Sequence, residues 1–113
     1  MTYTYLASPY THSDPAVREQ RFKAACKAAA RLIQEGEVVF CPIAHSHPID
    51  LEFATPASGQ FWKHHDAPFL AGAARLKILA IEGWADSVGV REEVRYAHDN
   101  GIPMEFIDLT EGS

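Results

Sequence analysis

The sequence has little cysteine, a shortage of basic residues and no long apolar run. Its two cysteines, Cys26 and Cys41, are too few for a disulfide scaffold, so we expect buried thiols in a reducing compartment. Acidic residues outnumber basic ones by 15 to 10, and the net charge of −5 argues against general nucleic-acid binding. No apolar stretch is long enough to span a bilayer, and a strand pattern follows Met1 at once, without a signal peptide. We therefore expect a cytoplasmic protein without nucleic-acid or membrane partners.

The remaining composition is that of one ordinary globular domain, which we expect to cover residues 1–113. Apolar residues make up 47% of the chain and charged residues 22%. Segments rich in β-formers alternate with helical patterns. The predicted strands are 2–7, 38–41, 78–81 and 104–109, and the predicted helices are 15–35, 61–71 and 88–100. This alternation predicts an α/β fold with a small doubly wound, flavodoxin-like or Rossmann-like parallel sheet of four to five strands and helices on both faces.

The most informative stretch is 76–104, where an apolar strand, a glycine-bearing loop and a helix follow one another. Ser87 is a good N-cap for this helix, and the glycine and proline that follow Asn100 supply stop signals. Open α/β sheets place their ligands where a strand gives way to a loop and a helix. The stretch is therefore the first place to look for a site.

Glu93 occupies an unusual position on this predicted helix. At about 100° per residue, Val90, Val94 and Ala97 form the core-facing stripe, and Glu92 projects to the far side. Glu93 falls on the flank of the buried face, where a charged carboxylate is uncommon unless it is paired or functional. Two interpretations are open: a salt bridge to a nearby arginine, or a reactive carboxylate at the floor of a pocket.

The first predicted strand ends in a polar loop, 8–13, which would lie at the carboxyl edge of the sheet. Asp14 followed by Pro15 then starts the first helix as an N-cap with proline at the first helical position. The residues of its sheet-facing stripe are Phe22, Ala25, Ala29, Leu32 and Ile33. Arg18 continues that stripe into the first turn. It is either a snorkelling surface arginine, or a clamp for phosphate or a partner for the carboxylate cluster, with Arg21 a weaker candidate.

A family resemblance rests on two parts of the chain. The sequence SVGVREEV at 87–94, followed by Ala97, resembles the S-x-G-V-x-x-E-hydrophobic-x-x-A motif of the nucleoside 2-deoxyribosyltransferase superfamily, which includes the deoxynucleotide N-hydrolases. The start YLASPY at 5–10 resembles that family's first strand and loop, and Asp66 lies in the expected helix. The resemblance covers nearly all of the chain. It is closest to a short bacterial branch with a Y-L-A-S-P-Y start and P-I-A-H-S-H-P-I and G-W-x-x-S-x-G-V segments.

The resemblance implies cleavage of the N-glycosidic bond of a nucleoside or nucleoside 5′-monophosphate, by hydrolysis or base transfer. Glu93 would be the nucleophile, Tyr5 would orient it through a hydrogen bond, and Asp66 would contact the sugar and assist proton transfer. The residues expected to bind the substrate are Ser8, Tyr10, Arg18, His45, His47, Trp84, Ser87 and Gly89. A phosphate seat at the helix N-terminus also has physical support, since exposed amides and the helix dipole favour an anion there. No cofactor is implied, and by analogy we expect a homo-oligomer, a dimer or tetramer.

Histidines are concentrated in the segment 43–50, which is predicted to be a loop after Pro42. In an extended segment the H-x-H pair of His45 and His47 would place both rings on one side, as a zinc site requires. No third ligand has a recognisable zinc spacing, and the family chemistry needs no metal. A pocket wall contacting base or sugar is favoured, with a metal site and plain structural histidines as the alternatives.

Two further segments complete the site region. The stretch 51–59 is predicted to be an irregular loop of the kind that covers active sites. In the helix that follows it, Pro68 is expected to delay or bend the regular part.

Three departures from the family pattern stand out. Residues 73–75 lack the aspartate that many members carry there, and the first loop lacks the glycine-rich run of the nucleotide hydrolases. The polar tail, Thr110–Ser113, has no equivalent of the carboxylate that a neighbouring subunit contributes in the transferases. Hydrolysis is slightly favoured over transfer. The alternative to an enzyme is a catalytically silent nucleotide-binding or sensing module on the same fold, which turnover would distinguish.

Overall fold

Four parallel strands form the sheet in the computed structural model, which describes residues 2–109. The strands are β1 (Thr4–Ala7), β2 (Val39–Phe40), β3 (Arg75–Leu79) and β4 (Met104–Ile107), and their order across the sheet is β2-β1-β3-β4. The helices are α1 (Pro15–Gln34), α2 (Pro42–Asp50), α3 (Gly59–Ala71) and α4 (Val88–Asp99). The predicted doubly wound α/β fold is confirmed, with four strands. The predicted polar tail, Thr110–Ser113, lies outside the described residues.

Each face of the sheet has its own apolar core, because successive strand side chains point to opposite faces. The core under α1 and α2 comprises Leu6, Ala25, Ala28, Ala29, Leu32, Cys41, Leu79 and Ile107. The core under α3 and α4 comprises Tyr5, Ala7, Leu70, Leu76, Ile78, Val90 and Ala97. Parallel strands direct all their carboxyl ends to one edge, so the two helical layers form opposite walls of any cleft at that edge.

Side-chain caps determine where three helices begin. The Asp14 carboxylate accepts a hydrogen bond from the Ala16 amide at 2.9 Å, so the predicted cap of α1 is confirmed. The predicted cap of α4 is also confirmed, since Ser87 Oγ accepts from the Val90 amide at 3.2 Å. Ser58 caps α3, which therefore begins well before Pro68 and includes it. Of the two effects predicted for this proline, a late start is wrong, and a bend of the helix stays a prediction.

The largest correction concerns the histidine-rich segment, which is the helix α2 and not a loop. Pro42 occupies a first-turn position, where its missing N–H costs no helical hydrogen bond, and Cys41 is the extended N-cap residue. In a helix, side chains two residues apart point in nearly opposite directions. His47 is accordingly buried whereas His45 is exposed, so the pair does not present two rings to one side.

The predicted strand at 78–81 is shifted in the structure, where β3 begins at Arg75 and ends at Leu79. The apolar pattern misses its start because Arg75 and Lys77 alternate with buried residues. Both cations are satisfied at the amino edge of the sheet: Arg75 donates to Thr4 Oγ1 at 2.9 Å, and Lys77 donates to Glu37 at 2.5 Å.

Smaller corrections concern the ends and edges of elements. Ile33, predicted to face the sheet, is 54% exposed because it lies about 100° around the helix from the buried Leu32. The predicted loop 84–86 is a short 3₁₀ turn. The other strands are shorter than predicted, and β2 consists of two residues only. Within the described part of the chain, no helix combines the length and the apolarity needed to cross a membrane.

Candidate active site

A cleft of about 670 Å³ opens at the carboxyl edge of the sheet, within the range of small-molecule sites. Eight of the predicted site residues line it. These are Tyr5, Ser8, Tyr10, His47, Asp66, Ser87, Gly89 and Glu93. The other three predicted residues, Arg18, His45 and Trp84, do not line it.

Glu93 and Tyr5 form a partly buried hydrogen-bonded pair at this cleft. The Tyr5 hydroxyl donates to Glu93 Oε2 at 2.5 Å, joining the sheet to α4. Burial raises the pKa of Glu93 to about 7, the Tyr5 hydrogen bond opposes that rise, and the neighbouring Asp66 adds to it. Burial and Glu93 also raise the pKa of the Tyr5 phenol, which therefore remains a donor. Within residues 2–109 Glu93 forms no salt bridge, which favours the pocket-floor interpretation.

Asp66 is the second carboxyl group of the site, and it is buried. It lies on α3, and its Oδ1 is 2.9 Å from His65 Nδ1. Burial raises the pKa of Asp66, while the hydrogen bond and charge of His65, and the charge of His45, act in the opposite direction. The rings of His65 and His45 stack with centroids 5.7 Å apart, and His45 does not line the cleft. Asp66 and Glu93 therefore belong to the α3–α4 wall.

A chain of three polar side chains stands on the opposite side, where Tyr10 and His47 line the cleft and Glu19 lies behind them. The Tyr10 hydroxyl lies 2.6 Å from His47 Nδ1, and His47 Nε2 lies 3.0 Å from a carboxylate oxygen of Glu19. The His47 ring stacks on Phe22 with centroids 4.2 Å apart, which fixes its plane. Burial raises the pKa of Tyr10, and the Arg18 charge opposes that rise. Glu19 was not among the predicted site residues, because nothing in its position on α1 distinguishes it from a solvated glutamate.

The N-terminus of α4 and the end of β1 supply uncommitted polar groups. Ser87 and Gly89 line the cleft at the first turn of α4, where backbone amides have no helical acceptor. A Cβ atom on Gly89 would meet nothing nearer than Ser87 Oγ at 4.0 Å, so there is open space beside this turn. Ser8 Oγ is buried and has no hydrogen-bond partner within the described residues. An orphaned buried hydroxyl beside a cleft is a natural contact for a polar ligand.

Arg18 and Arg21 hold the first loop instead of facing the cleft. Arg18 donates to the His12 carbonyl, and Arg21 donates to the Thr11 carbonyl at 3.0 Å. The Arg21 guanidinium also lies against Gly83, at a φ of +93°, where a side chain would collide with it. The guanidinium groups of both arginines thus donate hydrogen bonds to backbone carbonyls. A phosphate would compete with these carbonyls for the same N–H groups.

Trp84 serves the core and not the cleft. Its ring packs against Phe106 with centroids 4.9 Å apart, beside the core under α3 and α4. Among the residues that the structure describes, no group of three or more His, Cys, Asp or Glu side chains is placed to hold a metal ion.

Sequence reasoning missed two interactions at the cleft: an ion pair, and two hydrogen bonds accepted by Asp50. Glu92, predicted to project to the far side of the helix, lines the cleft and pairs with Lys63 of α3. Asp50, at the end of α2, accepts from the Ala57 amide and from Trp62 Nε1, each at 3.0 Å. These two hydrogen bonds connect the irregular segment before α3 to α2 and α3. No sequence pattern indicates which residues contact each other across such a segment.

Replacing Asp50 with alanine is expected to lower the free energy of unfolding by about 1–2 kcal/mol, because two partly buried donors lose their acceptor. Urea unfolding measures this change. Hydrogen exchange at the Ala57 amide should accelerate by about tenfold or more, since its protection depends on the same bond. Asp99→Ala, at an exposed carboxylate near the end of α4, is the control and should change stability by less than about 0.5 kcal/mol. An unchanged exchange rate at the Ala57 amide would show that the hydrogen bond to Asp50 does not hold the segment before α3 in place.

Comparisons with known proteins agree with this architecture. The model of a family described as "Domain of unknown function (DUF1937)" matches residues 2–108. No curated protein matches the sequence. A solved structure of the 2-deoxyribosyltransferase from the psychrotolerant bacterium Bacillus psychrosaccharolyticus is similar with a TM-score of 0.68 and 21% identity, over 99% of this chain and 76% of that chain. At this identity the likeness shows the fold alone.

Proposed function

This chain belongs to the DUF1937 family, and from its site we propose that it cleaves the N-glycosidic bond of a nucleoside or nucleoside 5′-monophosphate through Glu93. The observation that carries the proposal is the partly buried Tyr5–Glu93 pair, whose carboxyl group lines a ligand-sized cleft with a pKa near neutrality. The fold that the chain shares with a 2-deoxyribosyltransferase supports a nucleoside as the substrate class.

Cleavage of an N-glycosidic bond develops positive charge on the sugar carbon C1′. The ionised Glu93 attacks C1′, and the bond to the base breaks with its electron pair leaving on the base nitrogen. The Tyr5 hydroxyl holds one carboxylate oxygen and thereby orients the other. The glycosyl ester is then opened by water, which gives hydrolysis, or by a second base, which gives transfer.

The remaining cleft residues contact different parts of the substrate. Asp66 lies near Glu93 on the same wall, so it is positioned to hydrogen-bond the sugar hydroxyls and to exchange a proton there. The orphaned hydroxyl of Ser8 is a second sugar contact. Ser87 and the amide of Gly89 form the seat for a 5′-phosphate, where the dipole of α4 favours an anion.

The rate of base release is expected to rise with pH along an ascending limb centred near pH 7. Only ionised Glu93 is a nucleophile, and its pKa is raised to about 7, so kcat/KM should fall about tenfold per unit below that pH. Tyr5→Phe removes the hydrogen bond that lowers this pKa, so the midpoint should move to higher pH. Rates measured over a pH series test both statements. A rate that is constant from pH 5 to pH 7 would contradict the assignment of Glu93 as nucleophile.

The proposed function is tested by incubating the protein with a panel of ribo- and 2′-deoxynucleosides and their 5′-monophosphates. Chromatography follows free base, and Glu93→Ala, purified identically, controls for contaminating nucleosidases. Release by the wild type alone supports the proposal and identifies the substrate class. A folded wild type that binds nucleotides saturably and releases no base would instead establish the sensing module.

A further inference from the structure

We propose that Tyr10 is the acid that protonates the departing base, and that His47 and Glu19 supply and hold its proton. The proposal rests on the proposed function, because it assigns a further catalytic residue to that reaction. It is carried by the hydrogen-bonded chain from Glu19 through His47 to Tyr10, which ends at the cleft.

The walls of the cleft put this acid on the correct side. A nucleophile approaches C1′ from the side opposite to the leaving group, so the base must point away from Glu93. Asp66 shares the α3–α4 wall with Glu93, and its charge raises the pKa of that carboxyl. Tyr10 and His47 belong to the other wall, formed by the first loop and α2. A proton for the base therefore comes from the Tyr10 side.

The direction of each hydrogen bond follows from the partners. A carboxylate only accepts, so His47 donates Nε2–H to Glu19, and Nδ1 is the nitrogen that faces the Tyr10 oxygen. In the imidazolium form, Nδ1–H donates to the Tyr10 oxygen, and the phenol hydrogen is free to point into the cleft. In the neutral form, Nδ1 accepts that hydrogen instead. Protonation of His47 thus converts Tyr10 into a donor towards the ligand.

The proton transfer balances without an external reagent other than water. As the C1′–nitrogen bond breaks, the Tyr10 O–H transfers its proton to a basic atom of the leaving base, and His47 Nδ1–H returns a proton to the phenol oxygen. His47 is left neutral and still donates to Glu19. When water attacks the glycosyl ester, the proton that it releases passes through Tyr10 back to His47, and Glu93 leaves as carboxylate. Each turnover therefore restores the imidazolium.

Packing holds the chain in a fixed geometry. His47 is 7% exposed, and its ring is held between Phe22, against which it stacks, and the edge of Tyr10. The charged groups around the pair are Glu19 and Arg18 on α1 and Asp50 on α2. Glu19, one of the two carboxylates among these groups, is the acceptor for His47 Nε2–H.

The decisive measurement compares leaving groups in Tyr10→Phe. On a nucleoside that the wild type cleaves, the variant should lose about 100-fold in kcat/KM, the lower end of the usual range for a general acid. On a substrate whose leaving group needs no proton, the loss should be less than about threefold. An N7-methylated purine nucleoside, whose base is already cationic, serves for a purine-specific enzyme, and a 4-nitrophenyl 2-deoxyriboside serves for a pyrimidine-specific one.

Two further variants test the groups behind Tyr10, which are positioning residues. His47→Gln should reproduce the selective loss, because a glutamine side chain cannot return a proton to the phenol oxygen and the Glu19–His47–Tyr10 proton relay is broken. Glu19→Gln keeps the acceptor for Nε2–H, removes the charge at a half-exposed position, and should give a smaller loss of the same selectivity. His98→Gln, at an exposed histidine of α4 outside the cleft, is the matched control.

The outcomes separate this proposal from the proposed function. Suppose that the wild type releases base, and that Tyr10→Phe lowers kcat/KM equally for both kinds of substrate or for neither. The proton relay is then overturned, and the role of Glu93 as nucleophile stands. If the wild type releases no base from any substrate, or Glu93→Ala releases it normally, the proposed function fails and the relay fails with it. Selective loss in Tyr10→Phe together with His47→Gln supports the relay.

Discussion

Glu93→Gln is expected to reduce base release by about 10⁴-fold, because an amide does not attack C1′ as a carboxylate does. Glutamine has nearly the same volume as glutamate, and its carbonyl oxygen still accepts the hydrogen bond from Tyr5, so the cleft should keep its shape. Substrate binding should change much less than turnover, since the lost interaction forms only as the bond to the base breaks. The effect therefore belongs in kcat and not in KM.

Single-turnover rates at substrate saturation measure this loss, with the pH held above 7 so that the wild-type carboxyl is ionised. Glu82→Gln is the matched control, since Glu82 is exposed, lies just before α4 and does not line the cleft. Its rate should stay within about twofold of the wild type. Full activity in Glu93→Gln would remove the glutamate nucleophile from the mechanism.

The same substitution is expected to stabilise the protein at alkaline pH by about 3 kcal/mol. The pKa of Glu93 is about 7 in the folded state against 4.5 for an unperturbed glutamate, so the folded protein binds this proton more tightly than the unfolded chain. Its contribution is greatest below pH 4.5 and is lost as the pH rises from 4.5 through 7, about 1.4 kcal/mol for each unit of difference. Glutamine does not ionise, so the variant does not suffer this loss.

Urea unfolding of both proteins at pH 4.5 and pH 8 tests the linkage. The difference between variant and wild type should be small at the lower pH and about 3 kcal/mol at the higher one. The comparison cancels the titration of all other groups, which the two proteins share. Glu82→Gln should show no such pH-dependent difference, because Glu82 is exposed. Equal differences at both pH values would mean that Glu93 is not buried as a neutral acid.

The fold and part of the candidate site could be predicted from the sequence because their sequence signals are local. The caps Asp14 and Ser87 fix helix starts by contacts within three residues, and a 3.6-residue period places Glu93 on the flank of α4. Asp66 and Tyr5 came from the family resemblance, and the structure places both at the same cleft as Glu93. Their catalytic roles, the predicted dimer or tetramer and the cytoplasmic location stay predictions.

The rest was hidden because it depends on contacts between distant segments. The helix α2 contains prolines near both its ends, so its composition favours a loop, and only tertiary packing makes it helical. The partners of His47 lie on the first loop and on α1, and nothing about Glu19 in the sequence indicates this contact. Arg18 was predicted as a phosphate clamp because a backbone carbonyl as its acceptor is not visible in a sequence.

The polar network at the amino edge of the sheet has a practical consequence for protein engineering. Lys77 contacts both Glu37 and Glu105 there, at the end of the strands opposite to the cleft. Libraries that seek higher thermal tolerance can therefore be confined to this edge, since changes in its charge pattern do not touch the groups that line the cleft. Libraries that seek a new substrate can be confined to the loops at the other edge. The two searches are separable, and gains from each should combine additively because the altered positions share no partners.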